Sequence, residues 1–179
     1  MSIAKAAVHL VVQRYRSCKL LIDESTWASV PTTKNDESPS HCGILLYVSF
    51  GETAETATVD SAVETCLNMA VLTQGLWGDG VSQPQSVRQL IQHKSSSTSV
   101  TIVPQANLIS KIKNQGKSIQ YHGQVSKTRG EELYEHFCDG IRAGVLEAQT
   151  NELPDSYKSW KQKRRQPSSN ALDPSISET

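Results

Sequence analysis

The stretch G-I-L-L-Y-V-S-F at Gly43–Phe50 constrains the fold more than any other part of the sequence. A strand with one wet face alternates apolar and polar residues, whereas this run is apolar almost throughout and has the length of a strand. It predicts a strand covered on both faces, at the centre of a sheet. Two segments supply helices to cover it. Between Glu55 and Leu72, the residues Val59, Ala62, Val63, Cys66, Met69 and Ala70 fall at the three-and-four spacing that lines one side of a helix. From Ser126, a natural helix cap, to about Leu146, the residues Leu133, Phe137, Ile141 and Val145 lie four apart, with Glu131 and Glu132 near the positive end. Ala7–Arg14 and Lys19–Ile22 read as two strands joined in a hairpin, and Asp23–Ser40 as a surface loop. Val87–Ile91 reads as a short edge strand. Val100–Val103 reads as a buried strand that stops at Pro104, whose missing N–H cannot continue a central ladder. The expected fold class is α/β, a layered mixed sheet with two main helices.

At 179 residues the chain has room for one domain with a sizeable core, taken as 1–150, and a tail at 151–179. The tail holds Pro154, Pro167, Pro174 and the basic run Lys161–Arg165 with almost no apolar periodicity, so it reads as irregular and solvated. Lys plus Arg and Asp plus Glu both number 18, which leaves any nucleic-acid surface to local clusters. Cys18, Cys42, Cys66 and Cys138 have neither metal-ligand nor disulfide-framework spacing and read as reduced and mostly buried. His9, His41, His93 and His136 show no ligand spacing either, so no metal and no cofactor are expected. The start lacks a span-length apolar run and a cleavage site; a cytoplasmic protein with no membrane association is the expectation.

Several short segments in order carry a resemblance. They are V-V-Q-R at Val11–Arg14, V-P-Q-A-N-L at Val103–Leu108, the basic stretch K-I-K-N-Q-G-K at Lys111–Lys117, I-Q-Y-H at Ile119–His122, and G-E-E-L-Y-E-H-F at Gly130–Phe137. Together they resemble the D-aminoacyl-tRNA deacylase family over roughly Val8–Leu146, and most closely its animal-type branch. In that branch the strand-end loop reads P-Q-A-T, so Pro104, Gln105 and Ala106 match while Asn107 removes a hydroxyl. The resemblance implies hydrolysis of the ester between a wrongly attached amino acid and tRNA. It implies that backbone N–H groups at Gln105, Ala106 and Asn107, with the substrate's own ribose 2'-OH, do most of the work. It also implies a homodimer, with an N-x-G-P element of one copy entering the partner's pocket. No Gly-Pro occurs in this sequence, and Asp173-Pro174 is a weak match, so one wall of that pocket is expected to be missing or replaced.

Ester hydrolysis needs donors aimed at the oxygen where charge develops, and each such donor is worth about 3 to 4 kcal/mol. Taken by itself, P-Q-A-N is a turn leaving a strand; the surrounding resemblance makes it the candidate reaction site. Gln105 can donate and accept, which suits the 2'-OH or terminal adenine. Pro104 and Ala106 give a roomy, less polar floor. Lys111, Lys113 and Lys117 can neutralise acceptor-stem phosphates, although lysines in a loop are ordinarily a solvated surface. Tyr121 and His122 can stack on or bond to the terminal adenosine, and Arg14 is a further substrate-binding candidate. The rival reading is a tRNA-binding protein that kept the fold and lost catalysis. A third is that the tail comes from a shifted reading frame attached to a family member.

Overall fold

A computed structural model gives the architecture, and the structure describes residues 6–30, 41–73, 83–93, 97–113, 118–121 and 123–151. Strands β1 (Val8–Tyr15), β4 (Cys42–Phe50) and β5 (Thr98–Pro104) form a mixed sheet in the order β1-β4-β5. β1 runs antiparallel to β4, from Val8 opposite Phe50 to Tyr15 opposite Gly43, and β5 runs parallel to β4. The apolar run is thus the centre of the described sheet, and Ile44, Leu46 and Val48 are at most 2% exposed.

Helices α1 (Thr56–Asn68), α2 (Val87–His93) and α3 (Lys127–Thr150) cover one face. Side chains alternate across a strand, so Ile44, Leu46, Val48 and Phe50 all point the same way, into Val59 and Val63 of α1, Leu90 of α2 and Phe137 of α3. Fully burying one such side chain is worth about 1.5 to 3 kcal/mol. Gly144 lets α3 sit close on α1, because a Cβ there would lie 2.2 Å from Leu67 Cδ1. The backbone N–H of Glu55 donates to Thr58 Oγ1 at 2.9 Å and starts α1; Ser126 Oγ accepts from the Arg129 N–H and starts α3, as its sequence predicts.

At the Tyr15 end of the sheet, polar side chains close on one another. Tyr15 packs close against Gly43, where a Cβ would meet Tyr15 Cζ at 2.7 Å. Its hydroxyl hydrogen-bonds with Ser99 Oγ and Thr101 Oγ1, each at 2.8 Å. Ser99 Oγ in turn meets His41 Nε2 at 3.2 Å, and His41 Nδ1 meets Ser97 Oγ at 3.0 Å, so a histidine only 3% exposed has both ring nitrogens engaged.

Several expectations are corrected. β1 pairs with β4 and not with the next strand; β2 (Cys18–Leu21) pairs with β3 (Trp27–Val30), which lies inside the segment read as loop. A covered central strand needs a long partner, and β1 has eight residues where β2 has four. Val87–Ile91 is helical: Ser86 Oγ accepts from the Gln89 N–H and Gln89 Oε1 accepts from the Ser86 N–H, a reciprocal cap that opens α2. Lys111 and Lys113 belong to strand β6 (Ser110–Lys113), paired with β7 (Ser118–Tyr121), so the basic stretch is half hairpin strand and not all loop. The cysteines are free, with Cys42, Cys66 and Cys138 buried, as expected. The tail at 152–179, with its expected missing wall, lies outside the described residues, as do His122 and Lys117.

Candidate active site

Past Pro104 the chain turns through a short 3-10 helix, Ala106–Ile109, that packs against β4. The sequence reading placed free donors at Gln105, Ala106 and Asn107. The structure corrects the first: the Gln105 N–H donates to Val48 O at 2.8 Å, one ladder bond beyond the proline. Successive amides on a strand point to opposite edges, so the absent N–H of Pro104 faces away from β4 and interrupts nothing. Ala106 and Asn107 begin the 3-10 helix, where an N–H has no acceptor within the helix, and among the described residues nothing accepts from them.

Pro104, Gln105 and Ala106 line one cavity of about 410 Å³, within the roughly 300 to 1,000 Å³ usual for ligand clefts. Its floor is the end of β4, Val48–Phe50; its opposite wall is Gln124–Lys127 and the first turns of α3, with Gly130, Glu131 and Tyr134. The wall is more apolar than polar in character, with a few polar groups converging on it. Tyr134 Oη donates to Ile102 O at 3.2 Å, filling an outward carbonyl of β5. Burial pushes the Tyr134 phenol up to about 12, with the neighbouring Cys138 thiol adding to it. The phenol therefore stays protonated at neutral pH and serves as a donor, not a base. Glu131 is exposed and pairs with Lys127 at 4.0 Å, a contact worth little in water. Asn107 is exposed beside the cavity, and its carbonyl accepts from Ser110 Oγ at 2.7 Å.

Ser110, which leaves the turn, pairs with Tyr121, so the backbone of the Tyr121 candidate runs beside the turn's exit. Arg14 is not brought there. It sits opposite Ile44 while Pro104 sits opposite Val48, about 13 Å along the strand at 3.3 Å per residue. Arg14 lines a separate hollow of about 480 Å³, and its guanidinium donates to Val71 O at 3.3 Å. Gln124 and Tyr134 are cavity residues the sequence reading did not assign. Tyr134 lies within Gly130–Phe137, one of the segments that carry the resemblance, but nothing local marks Gln124. Among the described residues no three His, Cys, Asp or Glu side chains gather as a metal site, and no helix is long and apolar enough to cross a membrane.

Comparison with known proteins bears on this geometry. The family model described as D-Tyr-tRNA(Tyr) deacylase matches residues 11–153, stopping where the tail begins. D-aminoacyl-tRNA deacylase 2 of Danio rerio is 30% identical over 116 residues, covering 65% of this chain and 64% of the relative. A Leishmania major protein assigned provisionally as D-tyrosyl-tRNA(Tyr) deacylase 2 is 30% identical over 116 residues, covering 61% of this chain and 60% of the relative. The chain thus spans somewhat under two thirds of the length of these relatives. A solved structure described as a probable eukaryotic D-amino acid tRNA deacylase superposes with a TM-score of 0.57 at 22% identity, covering 78% of this chain and 69% of that one, which shows a shared fold. With the central strand, the strand-end turn and the capped third helix all inside the matched span, the chain belongs to the D-Tyr-tRNA(Tyr) deacylase family.

Proposed function

We propose that the protein is an editing hydrolase that cleaves the ester linking a D-amino acid or L-alanine to tRNA, working as a homodimer in the cytoplasm, where charged tRNA is consumed. The observation that carries this reading is the cavity at the end of β5, where Gln105 lines the wall and two successive N–H groups, of Ala106 and Asn107, lack acceptors among the described residues. Water attacking the ester carbon creates an oxyanion, and donors already fixed in place stabilise it without reorganising. The ester bond then breaks to the ribose oxygen, which takes up a proton. The Gln105 side chain can hold the neighbouring 2'-OH, as donor or acceptor, so that it assists. The apolar wall suits the face of the terminal adenine. The dimer rests on the family resemblance, and the substrates on the names of the relatives.

Changing Gln105→Ala is the test. Deacylation of D-aminoacyl-tRNA and L-alanyl-tRNA should fall about a hundredfold, equivalent to about 2.7 kcal/mol, with the fold intact by circular dichroism. An unchanged rate in the folded variant removes this turn from the mechanism.

A further inference from the structure

We infer that Gln124 is a positioning residue for the turn: by holding the carbonyl of Ala106 it sets the direction in which the Asn107 N–H points. The inference rests on the reading of the turn as the reaction site. Gln124 Nε2 donates to Ala106 O at 2.5 Å, from eighteen residues away in sequence. A carbonyl oxygen only accepts, so it is the amide nitrogen of Gln124 that faces it. The peptide unit is planar and trans, so the N–H of Asn107 lies antiparallel to the C=O of Ala106. A clamp on that oxygen is therefore a clamp on that donor.

The base of the clamp is itself fixed. Gln124 forms an antiparallel bridge with Gly51, at the end of the central strand. Either side of the bridge, the Glu52 N–H donates to Gly123 O at 2.8 Å and the Val125 N–H donates to Phe50 O at 3.3 Å. Gly123 has φ 81°, a left-handed conformation that favours glycine and brings the chain alongside β4. The turn is thus held from one side by the Gln105–Val48 ladder bond and from the other by a side chain anchored to the same central strand. A donor aimed at a developing charge contributes only while its direction is kept within a narrow range.

The experiment uses the full chain with Gln124→Met, close in size and without a donor, and Gln124→Glu, with D-aminoacyl-tRNA and L-alanyl-tRNA as probes. Both variants should lower kcat about tenfold at pH 7 and leave KM within twofold, because the phosphate contacts lie elsewhere. The glutamate variant should regain rate relative to the parent as pH falls toward the ordinary carboxyl range near 4.3, since a protonated carboxyl can donate to Ala106 O and a carboxylate cannot. A purely structural role would produce no such recovery. The Asn107 amide resonance should also move in both variants, a readout independent of activity. If Gln105→Ala is slow while both Gln124 variants match the parent in kcat and in the Asn107 resonance, the clamp is overturned and the site stands. If the Gln105 and Gln124 variants all keep full rate, the site reading falls as well.

Discussion

The two ends of the central sheet are built from similar materials and finished differently. At the Tyr15 end, four hydroxyls and an imidazole satisfy one another around a ring packed against Gly43, and His41 is almost wholly excluded from water. At the Pro104 end, two N–H groups have no acceptor among the described residues, beside a cavity of about 410 Å³. Buried polar groups are normally paired, and a fully paired network stabilises a fold but has nothing left with which to bind a substrate. The difference teaches where to look: the proposed chemistry uses the end whose hydrogen bonds, among the described residues, are left incomplete.

That contrast can be broken by substitutions expected to separate activity from stability. Gln105→Ala carries the largest effect, the hundredfold fall in deacylation stated above, and should leave the denaturant midpoint unchanged. Tyr15→Phe should do the reverse, lowering stability by about 2 kcal/mol because Ser99 and Thr101 lose a buried partner, with kcat/KM unchanged. Urea unfolding and single-turnover deacylation of both variants check the pair; a Tyr15→Phe variant with impaired kcat at full stability would dissolve the distinction between the ends. Next, replacing Lys111, Lys113 and Lys117 by alanine should weaken tRNA binding about tenfold at physiological salt. The salt dependence should flatten by a slope of nearly one per lost phosphate contact. Filter binding from 50 to 200 mM salt measures it, and an unchanged slope would make these lysines ordinary solvated surface.

The smallest effect separates the core from both ends. Burial pushes the Cys66 thiol, and burial chiefly the Tyr134 phenol, up to about 12 from ordinary values of 9.0 and 10.0. Because both folded values are raised, the stability they contribute is complete below the unfolded values and is lost as pH climbs toward 12. Denaturant midpoints should therefore begin to fall near pH 9, by about 1 kcal/mol at pH 10, from Cys66 in the core. In Cys66→Val, similar in shape and without a proton to lose, the fall between pH 9 and 10 should be shallower by about that amount, the remainder coming from Cys138 and Cys18, whose thiols burial also pushes up.

Much of this was legible in the sequence, for reasons that can be named. The uncharged run Gly43–Phe50 and the four-residue spacing of Leu133, Phe137 and Ile141 are signals repeated over many positions, and both became the elements they predict. The α2 helix was written in Ser86-Val87-Arg88-Gln89, a capping pattern, but seven residues are too few for periodicity to separate helix from strand. Pro104 was legible as a strand end. Which edge its missing N–H faces was not, because that depends on the side where β4 lies. The distance from Arg14 to the turn and the reach of Gln124 to Ala106 are products of register and of tertiary approach, and no local pattern encodes either.

The finish of β5 has a consequence for how the protein behaves in company. Among the described residues β5 has β4 on one side only, and a strand edge left with a free row of amides and carbonyls invites pairing with another chain. Here two successive outward positions have each given up one of their two pairing groups. Pro104 carries no N–H, and the carbonyl of Ile102 is already taken by the Tyr134 hydroxyl. A strand added along this edge would find a weaker ladder near the cavity than along the rest of β5, which disfavours pairing just where the mouth lies.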